Sequence, residues 1–333
     1  MIKSLTSLRF IFAVMVFVLH IHQANIAIGH AFFIVLSGFI LTMVYEKKIQ
    51  NNTFSFGSFF KKRLLRTYPL HIITLFLAIP LSLAGLRSET LIWISKFLLN
   101  LFSLQVFVPD NQFYFSFNGV AWNLAVLLIF YACFPFLIRL LSKISFSVFS
   151  VGLGLIVVFI ALSMNIVPEK WHHYLFYISP FYRIFDFIFG MYLFQLTKKL
   201  TFKPSYKTAS FIEIAVVFIC VLLYVLADSE YESMKPYIYS LYLWPALAAI
   251  FIGFHYDKGV ISKYILSSRL MLALGNLSFS FYMIHQLVIR YFRQFNNDWQ
   301  LDSNLLYILC FFLSLGLAYI SYNYFERFFY KND

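Results

Sequence analysis

Apolar stretches, each close to the ~20 residues that a membrane-crossing helix needs, follow one another along almost the whole chain. They are Leu5 to Ile21, Gly29 to Tyr45, Pro69 to Leu86, Gly119 to Ile138, Phe146 to Val167, Ser179 to Leu196, Ala209 to Ala227, Tyr237 to Phe254, Leu270 to Ile289 and Leu305 to Phe325. A further stretch, Leu91 to Val108, is interrupted by Lys96, Asn100 and Gln105. The pattern predicts an all-α integral membrane protein of about ten transmembrane helices plus one interfacial or re-entrant segment. Residues 1–333 are expected to form a single polytopic domain with no soluble domain, because the longest inner loops, Glu46 to Thr67 and Lys198 to Thr208, are too small to fold alone. His20, Ile21, His22 and Gln23 follow the first apolar run where a small-residue cleavage site would stand, so that run reads as a retained span rather than a removed signal peptide.

Composition supports this reading. Hydrophobic residues make up 61% of the 333 and charged residues 12%, against roughly 45–50% and about 25% in soluble domains. A water-soluble globular fold is excluded. The net charge of +12 sits in short loops between apolar runs, which is the mark of membrane topology rather than of a nucleic-acid footprint. With the N-terminus inside, ten spans leave only Arg87, Lys96, Lys170, Arg183, Lys235, Arg290 and Arg293 of the 26 Lys and Arg on the outer side. Letting Leu91 to Val108 cross would move Lys198, Lys199, Lys203, Lys207 and all later loops outward and erase the bias, so both termini are expected in the cytoplasm. The outer loops then carry Glu89, Asp110, Glu169, Asp228, Glu230, Glu232, Asp298 and Asp302. Cys133, Cys220 and Cys310 lie in separate apolar stretches and read as small buried hydrophobes.

Ionisable groups inside spans are costly and therefore candidate functional residues. Arg9, His20, Arg183, Asp186, Glu213, His285 and Arg290 fall there. Arg183 and Asp186 are spaced to pair with each other on one helix, and Arg290, Glu213 and the nearby Arg269 sit at span ends from which they can snorkel. Arg9 and His20 are eleven positions apart, roughly three helical turns, and so share one face about 16 Å apart along the axis. A polar stripe crossing the membrane is one reading; a histidine satisfied by a backbone carbonyl is the other. Arg63 and Arg66, just inside the membrane, share a face if their segment is helical and would present two forked donors suited to phosphates; the plain alternative is a positive-inside anchor. Adjacent His172 and His173 would point apart and fit a loop role better than a metal site, and no metal centre is expected. Phosphate-binding loop, zinc-protease helix and nucleophile-elbow motifs are all absent.

Four segments, in order, resemble the membrane acyltransferase-3 family, ten-span O-acyltransferases that modify bacterial surface polysaccharides. Leu5-Thr6-Ser7-Leu8-Arg9 followed by His20 is similar to its first-span Arg/His signature. The run Gly29 to Phe39 resembles its Phe-Phe-x-x-Ser-Gly-Phe motif, Phe59 to Pro69 its Arg-x-x-Arg-x-Tyr-Pro entry to the third span, and Leu274 to His285 its Leu-Gly-x-x-Ser-Tyr-Ser-x-Tyr-x-x-His segment. The family's Trp-Ser-Leu-Ser-Val-Glu-x-x-Phe-Tyr is represented by Trp122 to Tyr131, where Leu127 replaces the acidic residue and Asn123 and Ala125 replace the serines. Ala31 stands where members often carry a polar residue.

The resemblance implies a cytosolic acyl-CoA co-substrate, usually acetyl-CoA, no bound cofactor, and a hydroxyl of an extracytoplasmic polysaccharide or glycolipid, such as an exopolysaccharide or O-antigen, as acceptor. It implies a bacterial inner-membrane location in contact with lipid and no nucleic-acid partner. His20 would be general base or transient acyl carrier, Arg9 a stabiliser of donor or developing charge, and Arg63 and Arg66 the CoA-phosphate ligands; Ser37, Tyr68, Trp122, Asn123 and His285 would support them. The chain ends soon after its tenth span, so acceptor delivery is expected to use the bundle itself or another polysaccharide-assembly protein. Two other readings stand beside this one: a transporter or flippase of a lipid-linked glycan, which would also need polar residues at mid-membrane, and a catalytically degenerate relative, for which Leu127 is the warrant.

Overall fold

The computed structural model describes residues 2–22, 28–229 and 237–330; Gln23, used above in the signal-peptide argument, and Glu230, Glu232 and Lys235, used to orient the chain, lie outside them. The described residues form helices and turns with no strand. In order these are α1 (Lys3–His22), α2 (Ile28–Gln50), α3 (Phe56–Ala78), α4 (Leu83–Ser88), α5 (Thr90–Leu101), α6 (Asn111–Tyr114), α7 (Ala121–Leu141), α8 (Phe146–Ile166), α9 (Pro180–Lys199), α10 (Tyr206–Ser229), α11 (Trp244–His255), α12 (Arg269–Trp299), α13 (Ser303–Ile320) and α14 (Arg327–Tyr330). Three single π-helical turns, His173–Ile178, Ile261–Leu266 and Ser321–Glu326, interrupt the α-helical run.

Seven helices among the described residues are long and apolar enough to cross a membrane. An eighth follows if α3 and the segment Pro80–Ser88, which are bent by 51° at their junction, form one span; Pro80 accounts for the break. The other two apolar stretches become α9, whose 20 residues include Arg183, Asp186, Lys198 and Lys199, and α11, which has 12 residues and reaches only about 18 Å. The segment Leu91 to Val108 folds as the 12-residue α5, a turn and a 3-10 turn at Gln105–Phe107. The expected loop Glu46 to Thr67 is mostly helical: α2 runs on to Gln50 and α3 begins at Phe56, capped by Ser55 accepting from the Ser58 N–H. Charged residues continue these helices beyond the apolar layer, where hydropathy alone sees a loop.

The central helices are α1, α2 and α12, and α8 and α10 lie at the lipid-facing periphery. Packing is most extensive between α2 and α9, α1 and α12, and α12 and α13. Glycine lets the first two pairs touch at backbone level. A Cβ on Gly38 would overlap the Phe187 carbonyl, one on Gly190 the Val35 carbonyl, and one on Gly275 the Thr6 carbonyl. Such small-residue contacts are how membrane helices gain van der Waals contact without a hydrophobic driving force. At 31 residues α12 is about 46 Å long, more than the ~30 Å hydrocarbon layer, so it carries side chains to both ends of the bundle.

Candidate functional site: an arginine-lined cavity and a histidine cluster

Arg9 on α1 and Arg63 and Arg66 on α3 converge on two adjoining cavities. One, of about 160 Å³, is walled by Thr6, Ser37, Asn123, Leu127, Tyr131 and Tyr282 together with apolar residues of α1, α2 and α7. The other, of about 330 Å³, is shared with Lys62, Asn276, Tyr322 and Glu326. Helical spacing places Arg63 and Arg66 side by side because α3 runs continuously through both. Arg63 lies over the Tyr45 and Phe59 rings, and its Nη2 donates to the Tyr45 hydroxyl at 3.2 Å. Its Nε is buried without a protein partner, an unmet donor at the cavity wall. The buried Glu326 carboxylate accepts from Ser280 Oγ and Ser321 Oγ, so this basic mouth has one carboxylate at its edge.

At the other end of α1, His20 Nδ1 lies 3.1 Å from His285 Nε2, and His285 Nδ1 lies 3.2 Å from the Phe281 carbonyl oxygen. A carbonyl only accepts, so His285 carries its proton on Nδ1; in the neutral pair its Nε2 is then an acceptor, and His20 Nδ1 must donate. His20 Nε2 is left as the basic nitrogen. Arg293 Nη2 donates to the carbonyls of His20 and Ile21 at 3.1 and 3.4 Å, satisfying the end of α1. A third imidazole, His30 on α2, stands 6.2 Å ring to ring from His20 with planes at 87°. Tyr282 joins the two halves of the site: it lines the smaller cavity and its ring lies 5.9 Å from His30 and 6.0 Å from His285.

A family model described as an acyltransferase domain, acyltransferase-3, matches residues 2–323. The chain belongs to the acyltransferase-3 family. It is similar to acyltransferase MdmB of Streptomyces mycarofaciens, 30% identical over 164 residues that cover 43% of this chain and 41% of that one; the match spans less than half of the relative. No solved structure matches the chain. With its long apolar helices, it is an integral membrane member of that family.

Within this family member, Ser37, Asn123 and Leu127 all face the smaller cavity. The Ser37 hydroxyl donates back to the Phe33 carbonyl at 2.9 Å, whereas Asn123 Oδ1 is buried with no protein donor. Tyr68 lies on another side of α3: its hydroxyl donates to the Leu101 carbonyl at the end of α5, because Tyr68 and Arg66 are two positions apart and so point to different sides of the helix. Trp122 lies behind the histidines, 5.2 Å from His30 and 4.9 Å from Tyr177 by ring centroids. Away from the cavity, Arg183 and Asp186 pair at 2.8 Å, fully buried, and the cluster is completed by the Tyr239 carbonyl, Ser240 and Trp244. Arg290 and Glu213 do not snorkel. Arg290 donates to the Phe117 carbonyl, and Glu213 accepts from the backbone N–H groups of Gly259, Ile261 and Ser262 at 2.8 to 3.0 Å. His172 and His173 do point apart, to the Val167 carbonyl and to the Tyr114 hydroxyl. Burial lowers the His173 pKa and raises that of Tyr114 to about 12, with Asp110 adding to the latter. Sequence reasoning missed His30, Tyr177 and Tyr282; the signal available for His30 was an imidazole in the middle of an apolar stretch. Among the described residues no group of three or more His, Cys, Asp or Glu could hold a metal.

Proposed function

We propose that the protein transfers an acyl group, acetyl in the simplest case, from cytosolic acyl-CoA to a hydroxyl of an extracytoplasmic glycan or glycolipid. The chain would cross the bacterial inner membrane ten times with both termini in the cytoplasm. What carries this reading is one continuity: arginines on two helices line a cavity whose far wall, Tyr282, touches the histidine cluster. Arg63 and Arg66 would bind CoA phosphates by charge-assisted hydrogen bonds, with Arg9 steering the donor inward. The thioester then lies toward His20. The His20 Nε2 lone pair takes the proton of the acceptor hydroxyl as its oxygen attacks the acyl carbon, and the same proton passes to the departing thiolate as the C–S bond breaks. An imidazole suits both transfers because its unperturbed pKa of ≈ 6.5 lies near neutrality.

Leu127 favours a second reading. It faces the cavity at the position that is acidic in the motif its segment resembles, so loss of turnover with retained CoA binding is the alternative. Purified protein in lipid, given isotopically labelled acetyl-CoA with and without surface glycan, separates the two. Label on glycan with wild type but not with His20→Ala supports the transferase. A His20→Ala protein that is folded and transfers at the wild-type rate would end it. CoA binding without transfer favours the degenerate form, and absence of CoA binding favours transport of a glycan.

A further inference from the structure

His30 has no part in the proton route just described, yet it belongs to the same cluster. It is 1% exposed. Its Nδ1 lies 3.0 Å from the Tyr177 hydroxyl, and its Nε2 is buried with no partner in the protein. A buried polar atom left unpaired is costly, and native proteins retain few without a reason such as a ligand or a catalytic role. Tyr177 fixes which kind of atom is waiting. A phenol donates to an imidazole lone pair more readily than it accepts from an imidazole N–H, so the Tyr177 O–H donates to Nδ1 and the ring proton sits on Nε2. His30 therefore presents an N–H with nothing in the protein to receive it, on a ring whose centroid lies 6.2 Å from that of His20.

The surroundings sharpen its role. Trp122, Tyr177 and Tyr282 enclose the ring and keep it dry. A fixed donor in a buried site is most useful where negative charge appears only during the reaction.

We propose that His30 Nε2–H is an oxyanion donor of the acyl-transfer step. This rests on the transferase reading above and adds to it a group that reading does not use. When the acceptor oxygen bonds to the acyl carbon, the carbonyl π electrons move onto the former carbonyl oxygen. His30 Nε2–H donates a hydrogen bond to that oxyanion without giving up its proton. The carbonyl re-forms as the C–S bond breaks, and the thiolate takes the proton held by His20. Tyr177 is a positioning residue, acting through the tautomer of His30.

The test is single-turnover transfer from labelled acetyl-CoA in lipid, over pH 6 to 8.5, for wild type, His30→Phe, His30→Gln and Tyr177→Phe, with CoA affinity and thermal melting of each. Loss of one oxyanion donor typically costs about 10²–10³ in rate. His30→Phe is expected to lose that much in rate with its KM for acetyl-CoA unchanged, His30→Gln to recover at least tenfold of it through its amide N–H, and Tyr177→Phe to lose less and show a displaced pH profile. A folded His30→Phe protein that transfers within about threefold of wild type overturns the proposal, as does a folded His30→Gln protein no faster than His30→Phe. If wild type itself transfers nothing, all four proteins are equally silent, and it is the transferase reading that has failed.

Discussion

His20 and His285 are joined by a hydrogen bond of 3.1 Å between residues 265 positions apart in the chain, and the Phe281 carbonyl sets its direction. On the proposed mechanism the far histidine would be the orienting group that a carboxylate often supplies to a catalytic imidazole. Replacing His285 by Phe should leave His20 free to adopt the other tautomer and reduce transfer by about 10²–10⁴, with little change in CoA affinity. A kcat within threefold of wild type, measured on folded protein, would exclude this coupling.

The two arginines of α3 predict a loss of donor binding that differs in its salt dependence. Hydrogen bonds to charged groups are worth about 1.5–3 kcal/mol, so Arg63→Ala and Arg66→Ala should each weaken CoA by roughly 10- to 100-fold by calorimetry. The effect at the exposed Arg66 should shrink as salt rises, and that at Arg63, whose Nε is buried, should persist. Equal CoA affinity for wild type and the Arg63→Ala,Arg66→Ala double variant would place the donor elsewhere.

Gly190 meets the Val35 backbone, and a side chain there has nowhere to go. Gly190→Val should cost more than 3 kcal/mol through overpacking and yield aggregated protein on size exclusion in detergent. Gly152→Val on peripheral α8, where nothing lies near the added carbon, should elute as wild type. Matching profiles for the two would show that α2 and α9 are not in backbone contact.

His173 outside the spans gives a pH dependence. Burial holds its pKa below the unfolded value of 6.5, so the unfolded chain binds more protons as the medium acidifies. Stability is fully present above pH 6.5 and falls as pH drops toward the folded pKa. The melting temperature of wild type should therefore fall between pH 7.5 and 5.5, and His173→Gln, which keeps a partner for Tyr114 Oη, should flatten that fall. An identical slope in both proteins would assign the acid sensitivity to another group.

The order of apolar stretches made the helices legible, and the spacing of Arg183 and Asp186 made their ion pair legible, because both depend on neighbours along the chain. What stayed hidden depends on distant partners. His30 owes its fixed proton to Tyr177, 147 residues away, and Glu213 is held by backbone N–H groups, which no side-chain pattern reveals. Helical continuation past the apolar layer, as in α2 and α3, was invisible for a different reason: charge marks the membrane boundary but does not stop a helix. For the candidate site, Arg9, His20, Arg63, Arg66 and His285 could be named from position and resemblance, whereas the direction of the hydrogen bonds among the histidines required the fold.

The backbone contact at Gly38 and Gly190 also restricts how the molecule can move. Helix α2 carries Ser37 of the cavity wall and, about two turns away, His30 of the cluster, and it is clasped to α9 between carbonyls on both sides. A rocking motion that exposed the two ends of α2 in turn would have to prise these backbones apart. A partition held this way suits the proposed function, in which two reactants would approach it from opposite faces and only the acyl group would pass between them.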